Sequence, residues 1–106
     1  MPKYLVQASY TAEGLKGLQT DGAASRVQSA NKVAAALGGK CDAFYWAFGE
    51  QDVLAIFDLP SSVDIAALAF AVSASGLIRT KTTPLLTASE ADAALKKSVD
   101  FRPPGR

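Results

Sequence analysis

Asp52 is the carboxylate around which this chain can build a site. It closes the polar step Gly49-Glu50-Gln51-Asp52 in the stretch YWAFGEQDVLAIFDL, residues 45–59, where two apolar runs flank the step. A carboxylate beside aromatic side chains can serve as a general base or anchor a ligand at the rim of an apolar pocket. Turns also recruit Asp because its carboxylate accepts hydrogen bonds from backbone N–H groups, and that is the commoner use. Glu50, at the loop tip, reads as solvated.

Four further residues have chemistry to offer. Tyr10 and Trp46 each join an apolar body to a polar tip, so they can orient a ligand inside an apolar cavity or serve as core. Trp46 is expected beneath the helices, on a face shared with Phe44 and Phe48. Gln7 sits between apolar neighbours, and a buried amide there needs a partner on a ligand or an opposing subunit. Arg26 falls near the start of a helix, where the macrodipole disfavours a cation, so an acidic partner, Asp52 or Asp21, is expected. Gln7, Tyr10, Arg26, Trp46 and Asp52 are therefore the candidate ligand-binding residues. Arg79 and Lys81, two apart on one strand face, could hold an anion together, but such pairs more often form a solvated edge.

The residue types that are missing narrow the chemistry. The 106-residue chain has no histidine and one cysteine, Cys41. Without histidine there is no Ser-His-Asp or Cys-His machinery in one chain, and the commonest metal and haem ligand is gone. Cys41 lies in an apolar stretch and reads as a buried thiol. No metal-ligand spacing or phosphate-cradling glycine loop occurs, so no metal, no cofactor and no specific catalytic residue is assigned. The net charge is +1, with the basic residues scattered, so nucleic-acid binding is not expected. The longest apolar run, IAALAFAVSASGLI, falls short of the roughly 18 to 20 residues that span a bilayer. With no signal-peptide pattern at MPKYLVQASY, a cytoplasmic location is expected.

These residues need elements to position them. Lys3–Ser9 reads as a strand with Tyr4, Val6 and Ala8 on one face. Thr11 can cap a helix to Leu18, weakened by Gly14 and Gly17, and Asp21-Gly22 reads as a break. Ala24–Leu37 is a better helix, with Val27, Ala30, Ala34 and Leu37 in a stripe and Arg26, Gln28 and Lys32 facing elsewhere. Gly38-Gly39 stops it. Lys40–Phe48 and Asp52–Leu59 are strands joined by the polar turn. Ser61 or Ser62 caps a helix to about Ser73 that is apolar nearly all round, which calls for cover on more than one side. A strand runs from Gly76 to about Thr83, and Thr87-Ala88-Ser89-Glu90 is a capping box for a last helix to Val99. Residues 100–106 form an extended tail. The order β-α-β-β-α-β-α makes residues 1–106 a single α+β domain of ferredoxin-like pattern with a four-stranded antiparallel sheet.

The hairpin register decides which residues share a face. A three-residue loop would set Asp42 against Asp58, and like charges directly opposite are unfavourable. A loop of two or four residues sets Phe44 against Phe57, Trp46 against Ala55 and Phe48 against Val53, which is the expected register. One face then holds Phe44, Trp46, Phe48, Val53, Ala55 and Phe57; the other holds Ala43, Tyr45, Ala47, Leu54 and Ile56. A sheet apolar on both faces needs a second cover, and a two-fold dimer packed sheet to sheet supplies one.

Several short segments together resemble the GYD domain family: MPKYLVQASYT, the helix of Arg26, LGGK, the hairpin Gly49 and Asp52, DLP, and GLIRTKTTPLLT. The resemblance runs from Pro2 to about Val99. It implies a dimeric α/β-barrel built on a ferredoxin-like domain, an architecture shared by cofactor-free oxygenases, isomerases, haem enzymes and stress-responsive proteins. It therefore implies a fold and no particular activity. Gly49 and Asp52 match the glycine and aspartate of the family signature, while Gln51 stands where its tyrosine would be. Three roles follow as expectations: a homodimeric module binding a small, mostly apolar molecule; a cofactor-independent oxygenase or isomerase acting through Asp52, Tyr10, Trp46 or Gln7; or a purely structural assembly protein.

Overall fold

The computed structural model describes residues 1–106. Four strands and four helices follow the order β1 (Lys3–Tyr10), α1 (Ala12–Asp21), α2 (Ala23–Ala36), β2 (Lys40–Trp46), β3 (Val53–Asp58), α3 (Ser62–Ala74), β4 (Ile78–Leu85) and α4 (Ala88–Leu95). The strands form one antiparallel sheet in the order β2-β3-β1-β4. This is the α+β arrangement expected of the ferredoxin-like pattern, with two helices, α1 and α2, where the expected order β-α-β-β-α-β-α has a single helical step.

The helix boundaries have local causes. Thr11 caps α1, its Oγ1 accepting from the Gly14 N–H at 3.1 Å. The expected break is Gly22, whose φ of +86° ends α1 and starts α2 directly. Helix α2 closes in a Schellman motif: Gly38, at φ +85°, donates to the Ala35 carbonyl and Gly39 donates to that of Ala34. The capping box of α4 forms as expected, with Glu90 N–H on Thr87 Oγ1 at 3.1 Å and Thr87 N–H on Glu90 Oε1 at 2.9 Å. That helix ends at Leu95, shorter than expected, and 96–106 continue as turns and extended chain.

The core lies between one sheet face and the helices. Strand alternation delivers Tyr4, Val6 and Ala8 from β1 and Val53, Ala55 and Phe57 from β3, and the helices add Ala34, Ile65 and Leu68. Leu59, just past β3, has no exposed surface; full burial of a leucine stabilises by about 1.5–3 kcal/mol. On the opposite face, Leu5, Gln7, Leu54, Ile56 and Ala43 are half-buried at most, and Tyr45 is exposed. No outer-face residue joins the core.

The hairpin register departs from expectation by two residues. Tyr45 pairs with Leu54, Trp46 with Val53 and Phe44 with Ala55. Ala47 N–H donates to the Asp52 carbonyl at 2.7 Å, so residues 48–51 form the loop. Phe48 is thus a loop residue, almost wholly exposed, and not part of the aromatic face. A slip of two preserves side-chain parity, so every other face assignment stands. The four-residue loop already keeps Asp42 from standing opposite Asp58, and an irregularity between Cys41 and Ala43 sets Lys40 opposite Asp58.

Candidate functional site

The fold separates the five candidate residues. Tyr10, Arg26 and Trp46 lie on the helix side of the sheet, Gln7 lies on the outer face, and Asp52 ends the hairpin loop.

Asp52 braces the hairpin. Its Oδ2 accepts from the Tyr10 N–H at 2.8 Å, and its own N–H donates to the Ala8 carbonyl at 2.8 Å. The carboxylate thus serves the neighbouring strand and not its own turn. Next to it, Ser9 Oγ bonds the Glu50 carbonyl at 2.9 Å and Gln51 Oε1 at 3.1 Å. Gly49 takes φ +127°, a conformation that glycine adopts without steric cost. The loop of residues 48–51 and the Asp52 that follows it are therefore tied to β1 at two adjacent residues, Ser9 and Tyr10.

Tyr10 and Trp46 belong to an aromatic row. Their ring centroids are 5.8 Å apart, and those of Phe44 and Trp46 are 5.6 Å apart, both pairs tilted. Trp46 Nε1 is buried and has no hydrogen-bond partner.

Between this sheet face and helices α2 and α3 lies a cavity of about 310 Å³. That is the lower end of the ~300–1,000 Å³ of small-molecule sites. Its floor is Val6, Ala8, Tyr10, Phe44, Val53, Ala55 and Phe57, with Ile78 and Thr80 from β4; α2 and α3 form its walls. Trp46 packs against Tyr10 and does not line it. Arg26 does, on a helix face with Ser29, Ala30 and Val33, an i, i+3, i+4, i+7 row. The expectation that Arg26 faces away from the apolar stripe is corrected here: Ala30, four residues on, belongs to both rows. Its expected acidic partner is also absent, because Arg26 makes no ion pair with Asp52, Asp21 or any other acid. Sequence reasoning missed Ser29, Val33 and Thr80, although the row through Arg26 was there to be read.

On the outer face Gln7 lies between Leu54 and Lys81 in neighbouring strands. Arg79 and Lys81 are exposed on the edge strand β4. At the far end, Lys3 Nζ donates to Asp42 and to Asp58 Oδ2, the latter at 3.3 Å, and Lys40 sits 3.7 Å from Asp42. The Lys3 hydrogen bond holds the Asp42 carboxyl below its usual range, and the bonds to Asp42 and then Asp58 hold the Lys3 amine above its own. The Asp42 contribution to stability is present above its unfolded pKa and is lost as pH falls through the lowered folded value. The Lys3 contribution is present below its unfolded pKa and is lost as pH rises through the raised one. Burial pushes the Cys41 thiol up, away from nucleophilic use.

No group of three or more His, Cys, Asp and Glu residues lies close enough to hold a metal ion. No helix is long and apolar enough to cross a membrane. A family model described as the GYD domain matches residues 4–95. No curated protein and no solved structure gives a significant match.

Proposed function

The chain belongs to the GYD domain family, and on that premise we propose that it is a homodimeric domain that binds a small, mostly apolar molecule between its sheet and its helices. The observation that carries this reading is the cavity itself. Apolar side chains form most of its wall, and a few polar groups, Arg26, Ser29 and Thr80 among them, converge on it. Such a lining favours binding of an oriented apolar ligand.

The cofactor-independent oxygenase or isomerase reading has less support. No Asp or Glu lines the cavity, and the Asp52 carboxylate is engaged by the Tyr10 N–H. Proton abstraction from a bound substrate needs a base within reach.

The homodimer rests on the outer face of the sheet, where Leu5, Leu54, Ile56, Ala43 and Tyr45 have no helix over them. A second copy of the same face, related by a two-fold axis, is the economical cover.

A thermal-shift screen of small apolar compounds tests the binding reading. A compound at 100 times its Kd should stabilise the protein by about 2.7 kcal/mol, a rise in Tm of roughly 10 °C or more. Ala71 lines the cavity and is solvent-exposed, so Ala71→Trp narrows the site without entering the core. Hits that shift this variant as strongly as the original chain act elsewhere and would count against the cavity.

A further inference from the structure

Arg26 is the only charged side chain on the cavity wall, and no acid shares that wall. It is half-buried and makes no hydrogen bond or ion pair; the ion pairs of the chain all involve Lys3 or Lys40. Guanidinium groups placed partly out of water normally have a counter-anion, because the lost hydration is otherwise uncompensated.

Its place in α2 sharpens the point. Arg26 is the fourth residue of a helix whose first turn carries no acid and whose cap, Gly22, provides no side-chain hydrogen bond. No acid within the first turn offsets the positive end of the macrodipole there, and a cation adds to it. An anion delivered by a ligand would answer both.

The rest of the wall fits the remainder of such a ligand. Ser29 lies one turn along from Arg26 and its hydroxyl makes no hydrogen bond within the chain, so it can donate to an anionic head; Thr80 is a second free hydroxyl on the cavity wall. Apart from Ser75 the rest of the wall is apolar, with Phe44, Phe57 and Leu68 available to an uncharged body. One guanidinium balances one negative charge, and its fork matches the two oxygens of a carboxylate. A dianionic phosphate would leave one charge uncompensated beside that apolar lining.

We propose that the cavity takes a monocarboxylate with a compact apolar body, its carboxylate paired with Arg26 and its body against Phe44, Phe57 and Leu68. This rests on the reading of the cavity as a ligand site. The ligand class is an aryl-alkyl or medium-chain carboxylic acid in its ionised form.

Matched probes separate the two readings. Trp46 is the only tryptophan, and its ring lies against Tyr10 on the cavity wall, so its fluorescence reports occupancy alongside calorimetry. 3-Phenylpropionate and octanoate are titrated at neutral pH against their primary amides, which keep the body and remove the charge. The carboxylates should bind at least tenfold more tightly than the amides. Arg26→Gln should abolish that preference by weakening the carboxylates alone, and Arg26→Lys should keep part of it. Circular dichroism and unchanged amide binding show that the variants remain folded. Equal affinity for acids and amides would overturn the anionic ligand while leaving the cavity as a binding site. A preference for acids that survives in Arg26→Gln would overturn the role of Arg26. No saturable binding by either class would overturn both readings.

Discussion

Asp52 shows how one residue can be found by sequence and still be misread. Its position beside Gly49 marks a turn, and a turn aspartate is expected to bond its own loop. The structure gives its carboxylate to Tyr10 on β1, forty-two residues away in sequence. Asp52→Ala would leave that partly buried N–H without its acceptor, at a cost of about 1–3 kcal/mol. Asp52→Asn keeps an oxygen in place and should cost less; urea unfolding of the two variants measures the difference. Gln51 shares Ser9 with the Glu50 carbonyl, so the loop retains one tie to that serine without it. Arg26 was legible as a cation at the wrong end of a helix. That no acid of the chain pairs with it could be known only once every acid had a place.

Elements were legible where the pattern was local. The Thr11 cap, the break at Gly22, the glycine stop after α2 and the capping box of α4 each need only neighbouring residues. Register was not local. Aromatic pairing argues for Phe44 opposite Phe57, yet the loop closed by the Ala47–Asp52 bond and tied to β1 places Phe44 opposite Ala55. Two glycines of α1 separate local propensity from packing. A Cβ on Gly14 would come within 2.3 Å of the Leu77 carbonyl oxygen, whereas one on Gly17 meets nothing within 4 Å. Gly17→Ala should therefore stabilise the protein by about 0.5–1 kcal/mol, the ordinary gain of alanine within a helix. Gly14→Ala should destabilise it, because the obstacle is backbone and cannot rotate away. Thermal unfolding of both variants gives the two signs. Helix α3 buries Ile65 and Leu68 but leaves Val63 and Phe70 exposed, so the second cover expected for it does not come from this chain.

The whole molecule is extended for its length. Its radius of gyration is 16.8 Å, against about 13 Å for a compact domain of this size. The C-terminal segment accounts for this: α4 has no buried residue, and Leu86, Leu95, Val99 and Phe101 are all exposed. Together with the uncovered outer face of the sheet, this leaves much apolar surface in water for a single copy. Light scattering after size exclusion should therefore give twice the 11.0 kDa chain mass. Leu54→Lys, at the centre of the outer face, should shift the protein toward monomer by placing like charges across the two-fold axis. A monomer at micromolar concentration for the unaltered chain would remove the sheet-to-sheet dimer. Sequence alone determined the succession of strands and helical segments, with the first segment divided into α1 and α2, the two apolar faces of the hairpin and the family. The first two follow from residue type and from periods of 2 and 3.6, which survive small errors in boundary or register; the family follows from the match of many short segments along residues 4–95. Only the tertiary structure decided that Arg26 faces a cavity, that Trp46 packs against Tyr10 and that Asp52 braces β1. Those depend on where separate elements come to rest against one another, and packing between distant segments leaves no local period to read.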